Sequence, residues 1–325
     1  MKTVQETTDL IRAGKRLVIA GDEHLLAQLP RGEWIGGTTP YFMGEEGGLF
    51  SRELLQVSEL PDSVVSVQTS FYDVRLLHRI PHDYHTSGFS FIVIPAFSEV
   101  HHAFAKDCSS WPDVFDRPLV GWVAGVELSE VGKVHPKVFD GVTGVSSESK
   151  ALALHAELPE DIYARACIVN LFKAGTGDVL HFPERGFEVT ECYVNNFKHN
   201  FADYLIANKI DTREPLVANY MGAMVNVGIQ HVDAEARKVT LYAPVFPEVD
   251  YRVAVPVEDY AVEFNKLLET GHTKGVVFSC NCVLNYLYAG LEGKKTGRMV
   301  GPITFGEIAY ILLNQTLVYL TIEKM

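Results

Sequence analysis

The residues best placed to do chemistry in this 325-residue chain lie in GVVFSCNCVLNYL, residues 275–287, where an apolar run breaks at Ser279-Cys280-Asn281-Cys282 and then resumes. The pattern predicts a strand handing over to a helix, with Asn281 as the N-cap. Unpaired N–H groups and the helix dipole at such a place attract a carboxylate or another anion. The same field lowers a thiol's pKa, which would make Cys280 a nucleophile. No histidine lies nearby in sequence to act as its base. The expectation is therefore a ligand-lining turn rather than a catalytic one, with buried, inert cysteines as the structural alternative.

Two further stretches carry polar groups among apolar ones. GPITFGEIAYI places Glu307 inside an apolar segment, where it is an edge group in water, an internal partner, or a counter-charge for a ligand amine. WIGGTTPYF offers Gly36 and Gly37 for close backbone approach and the Thr38 and Thr39 hydroxyls for polar ligand atoms; alone it reads as a tight turn. HRIPHDYH spaces His78, His82 and His85 as a metal site would on a helix, but Pro81 argues against an uninterrupted one. His101 and His102, adjacent on a predicted helix, are expected not to face one site. There is no CxxCH, HExxH, P-loop or GxGxxG. No cofactor is predicted and no residue is assigned to a metal. Haem or a metal held through a histidine is an alternative.

Acidic residues outnumber basic ones, 41 to 28, for a formal charge of −13. That repels phosphate backbones and anionic membranes, and no basic patch offsets it, so neither nucleic acid nor membrane is an expected partner. The five cysteines are odd in number and scattered, which fits reduced thiols in a cytoplasmic protein. The charged N-terminus is not a signal peptide, no apolar run is long enough to span a bilayer, and the chain reads as a free-standing soluble unit.

These residues must be positioned by an α/β architecture of mixed β-sheets layered with helices. RLVIAG, a capped EHLLAQL and WIGGTTPYFM read as strand, helix and strand; SGFSFIVIP reads as a strand and SEVHHAFAKDC as a helix. DYAVEFNKLLETG is an amphipathic helix with Gly271 as its stop. MVGPITFGEIAYI reads as one strand containing glycines, and QTLVYLTIE as the last strand. The strand–helix–strand at the start recurs around residue 280, which predicts two related halves, 1–203 and 204–325. Ligands in such folds sit at the carboxyl ends of strands.

FSCN (278–281), VGPITFGEI (300–308) and NQTLVYL (314–320) resemble the C-terminal half of FIST domains. PLVANYMGAMVNVG and LYAPVFPEVDYRVAVP are similar to that family's preceding strands, and IGGTTPYF more weakly to its N-terminal half. Where the family commonly has glycine and arginine after its Cys-Asn, this chain has Cys282 and Val283. The resemblance implies a sensory protein that binds a small ligand, such as an amino acid, in a cleft between the halves and signals to a partner protein. It also carries over Cys280, Asn281, Phe305, Gly306 and Glu307 as residues near the pocket. With Gly37, Thr38, Thr39 and Ser279 they make up the expected ligand-binding set. A ligand carboxylate would lie at the 280–282 N–H groups and its amine at Glu307. A cysteine-dependent enzyme using Cys280 is the other alternative.

Overall fold

The computed structural model describes residues 1–220, 222–270 and 274–324. The chain opens on helix α1 (Val4–Arg12), started by a capping box in which Thr3 accepts from the Glu6 N–H while the Glu6 carboxylate accepts from the Thr3 N–H. Strand β1 (Leu17–Gly21), helix α2 (Glu23–Leu26) and strand β2 (Trp34–Thr38) then form a unit whose two strands run parallel. After β3 (Tyr41–Gly44), the chain repeats this arrangement with β4 (Gly88–Pro95), α3 (Glu99–Asp107) and β5 (Leu119–Ala124), again parallel. Strand β6 (Ile162–Val169), helix α4 (Phe201–Ala207), strand β7 (Lys238–Val245) and helix α5 (Tyr260–Thr270) follow. The arrangement returns in β8 (Val276–Cys282), α6 (Val283–Tyr288) and β9 (Gly301–Thr304), where Asn281 pairs with Ile303 and Cys282 with Thr304 in parallel register. The recurrence read between the chain's start and residue 280 is thus present, with a third copy in between.

The architecture is the mixed α/β one expected, with five sheets among the described residues. The continuous apolar runs of β1, β4 and β5 are explained by burial: all five residues of β1, all six of β5 and seven of the eight in β4 are buried. Sheets cross the 203/204 position. Strand β9 pairs with β3, and the last strand, β11 (Leu317–Lys324), lies between β6 and β8. Aromatic side chains lock the layers: Phe278 of β8 stacks on Trp122 of β5 (ring centroids 5.6 Å) and meets Phe91 of β4 edge-on (5.0 Å).

The segment read as one strand, MVGPITFGEIAYI, is three. The chain leaves β9 at Phe305 and Gly306, whose N–H and C=O pair with Val123 of a different sheet. It continues there as β10 (Glu307–Ala309) beside β5, then turns at Tyr310, which has φ of 64°, into a short strand Ile311–Leu313. An apolar run carries no mark of a change of sheet. HRIPHDYH forms a 3-10 helix, Leu77–Asp83, with Pro81 inside it. The expected helix stop at Gly271 lies outside the described residues. Among the described residues, no helix is long and apolar enough to cross a membrane.

Candidate functional site

The strand-to-helix handover falls one residue later than expected. Cys282 is the N-cap of α6 and makes no side-chain cap bond, while Asn281 still belongs to β8. Asn281 acts as a brace instead. Its Oδ1 accepts from the Cys282 N–H (2.8 Å) and from Asn285 Nδ2 (2.9 Å), and Asn285 Nδ2 also reaches the Tyr260 hydroxyl (2.8 Å). The Cys282 N–H is further engaged by the Thr316 carbonyl. Of the 280–282 N–H groups foreseen for a ligand carboxylate, that of Cys282 is therefore occupied within the protein. Asn285→Ala should cost about 2–4 kcal/mol, because it strips the buried Tyr260 hydroxyl and Asn281 Oδ1 of a shared donor. Urea unfolding measures this, and a loss under about 1 kcal/mol would show the brace to be dispensable.

Glu307 is fully buried, so it is not an edge group in water. Its carboxylate accepts from the Thr316 hydroxyl (2.8 Å) and N–H (3.2 Å), with the Thr304 hydroxyl at 3.4 Å. Burial pushes its pKa up to about 8, against the pull of the Thr316, Cys282 and Thr304 hydrogen bonds. A carboxyl that is mostly protonated at neutral pH and bonded inward is an internal node, not a ready partner for a ligand amine. Cys280 is also buried, and its thiol donates to the Gly121 carbonyl (3.4 Å). Burial and the neighbouring Glu307 hold that thiol, and that of Cys282, well above the ordinary range, the opposite of an activated nucleophile. The Ser279 hydroxyl donates to the Val300 carbonyl (2.9 Å).

The first-half residues have structural partners too. A Cβ on Gly37 would stand 2.5 Å from a methyl of Val93, so the glycine permits close approach of a second sheet rather than of a ligand. The Thr39 hydroxyl donates to the Ile303 carbonyl (2.7 Å), tying the end of β2 to β9. The equivalent ends of the first and third units are therefore joined. Thr38 and Thr39 do border a cavity of about 320 Å³ at the carboxyl ends of β1, β2 and β5. Arg52 within it is committed to Asp22 (2.7 Å) and Glu130 (2.6 Å).

A larger cavity, about 720 Å³, opens at the carboxyl ends of the other parallel strands. Phe97 follows β4, Leu284 follows β8 and Phe305 follows β9; all three line it. Phe187, His101 and His102 add to its wall. The expectation that the two adjacent histidines cannot share a site is overturned. Their rings lie 5.6 Å apart and both pack against Phe187, because the cavity is broad enough to run along the flank of α3. Of the expected set, only Phe305 reaches this cavity. Apart from His101 and His102, the others that line it were not foreseen. Phe97 sits at φ 63°, and Phe187 lies in a region whose aromatic and polar mixture carries no period. Also missed was a buried polar cluster in which Tyr72 donates to Asp83 (2.5 Å) and meets His155 Nε2 (2.8 Å), with Ser90 at Nδ1 (2.8 Å). Of the HRIPHDYH stretch, it is Asp83 that joins this cluster, while His78 and His82 are exposed. Among the described residues, no group of three or more His, Cys, Asp or Glu side chains could hold a metal ion.

The geometry is that of an α/β protein with cavities at the carboxyl ends of its parallel strands. The chain matches the family of unknown function DUF6976 over residues 2–323 and belongs to that family. No curated protein and no solved structure matches it.

Proposed function

We propose that this chain is a small-molecule-binding protein whose ligand occupies the 720 Å³ cavity between α3 and α6. The observation that carries this reading is position: the cavity gathers the residues that follow three parallel strands, β4, β8 and β9, which is where ligands bind in α/β sheets. Its size is in the range of small-molecule pockets. Phe97 and Leu287, 47% and 43% exposed, hold apolar surface at its rim that a ligand would cover. The resemblance to FIST domains adds a sensory role, in which occupancy of the cavity alters the fit to a partner protein. The cavity also unites segments from both sides of residue 203, in keeping with a ligand held between two parts of the chain.

A thermal-shift screen of metabolites against wild type and Leu287→Trp tests this. The tryptophan intrudes on the cavity from an exposed position and leaves the core intact. A true ligand at about a hundred times its Kd stabilises wild type by about 2.7 kcal/mol and the variant far less. Equal stabilisation of both proteins by every hit would place binding elsewhere.

A further inference from the structure

We propose that the ligand of this cavity is an apolar carboxylic acid, its carboxylate held at the His101–Lys106 wall and its hydrocarbon or aromatic body lying toward Leu241, Leu284 and Phe305. This rests on the reading of the cavity as a ligand site and goes beyond it in naming the chemistry. The argument comes from which polar groups on the wall are already spent.

His101 is 6% exposed, and its Nδ1 accepts from the Phe97 N–H (3.3 Å). Burial, with a smaller contribution from His102, lowers its pKa to about 3, so the ring is neutral and its one hydrogen sits on Nε2. That N–H is buried and has no partner. Leaving such a donor unmet is unfavourable, so a group that accepts from it would be bound there with advantage. Phe97 shows that the arrangement is imposed: its backbone has φ of 63°, an uncommon value for a non-glycine residue, and its N–H is what fixes the His101 tautomer.

Lys106 lies further along the same helix and also lines the cavity. Its ammonium stands over the Phe187 ring at 5.9 Å and takes part in no ion pair among the described residues. The nearby carboxylates are taken: Asp107 pairs with Arg185 (3.7 Å), and Glu188, the cavity's own acid, pairs with Lys238 (2.8 Å). His101 and Lys106 thus leave a neutral donor and a cation on this wall, with the His102 ring beside them. A carboxylate is complementary to both groups, whereas an amine would meet one like charge and one donor pointing the wrong way. Most of the remaining lining is apolar, Leu241, Leu284 and Phe305 among it, beside Gln230, Thr240 and Tyr242, and this favours amphipathic acids over small, fully polar ones.

Isothermal calorimetry with decanoate, 1-naphthoate, decanol and decylamine, on wild type, Lys106→Gln and Leu287→Trp, decides the matter. Lys106→Gln changes a partly exposed side chain, and circular dichroism verifies its fold. The expected result is that at least one acid binds wild type about tenfold or more tighter than decanol, with decylamine weakest. Lys106→Gln should weaken the acid about tenfold and leave decanol unchanged, and Leu287→Trp should weaken both. If decanol or decylamine matches the acids, or if neither acid binds below about 1 mM, the acid assignment is overturned. Sensitivity of any bound probe to Leu287→Trp would then still support the cavity as a site. If an acid binds but Leu287→Trp leaves its affinity untouched, the cavity reading itself falls.

Discussion

Glu307→Gln should leave the protein folded and remove much of its loss of stability with rising pH. The amide is nearly isosteric with the carboxyl, can accept from the Thr316 hydroxyl and N–H as Glu307 does, and carries no charge to desolvate. In wild type the carboxyl's pKa is raised from 4.5 to about 8, chiefly by burial. An acid with a higher pKa folded than unfolded binds its proton more tightly when folded. Its contribution is complete below the unfolded value and is lost as pH climbs through the folded one. Each pH unit in that window costs wild type about 1.4 kcal/mol relative to the variant, so the gap between pH 5 and pH 8 reaches about 4 kcal/mol. Urea unfolding of both proteins across this range measures it, and parallel pH profiles would rule out a buried, protonated Glu307. Below about pH 4.5 the two profiles should run parallel, because the Glu307 contribution is complete there. His101 and His155 have pKa values lowered by burial to about 3 and about 4, so both proteins lose the histidine contribution as pH falls below 6.5, offset in wild type alone by Glu307 down to about pH 4.5.

Phe278→Ala should destabilise the protein by about 3–5 kcal/mol, the usual cost of emptying a buried aromatic site. Phe278 is 2% exposed, stacks on Trp122 and meets Phe91 edge-on, so its ring joins β8 to β4 and β5 across two sheets. Those rings are held by paired strands and cannot close the gap cheaply. Phe197→Ala, at 73% exposure, serves as the control and should change stability by less than about 0.5 kcal/mol. A shift in urea midpoint for Phe278→Ala as small as the control's would show that the two layers do not depend on this ring. Phe278 is not part of the cavity wall, so ligand affinity of a milder Phe278→Leu variant should match wild type.

The local signals in the sequence were strong where one residue type determines one conformation. Asp22 and Ser98 cap α2 and α3 as read, through side-chain bonds to the His24 and His101 N–H groups. The capping box at Thr3 and Glu6, which starts α1, is an equally local signal. Asn281 misled by one position. An asparagine before an apolar helical run satisfies the rule for a cap, but here its side chain is drawn to Asn285 and the Cys282 N–H from inside the strand. The partition of MVGPITFGEIAYI between two sheets had no local cue, since both sheets bury their share of it.

The sequence by itself determined the mixed α/β class, the strand–helix–strand recurrence and the handover near residue 280. Each of these depends on neighbours a few positions apart, through hydrophobic period and capping chemistry. Only the tertiary structure decided what the polar residues do. Long-range pairing buried Glu307 beneath Thr316, turned Gly37 toward Val93 and brought Phe97, His101, Phe187, Leu284 and Phe305 around one cavity. Solvation and partnership, which fix a side chain's chemistry, depend on segments that only the tertiary fold brings together and that no local pattern encodes.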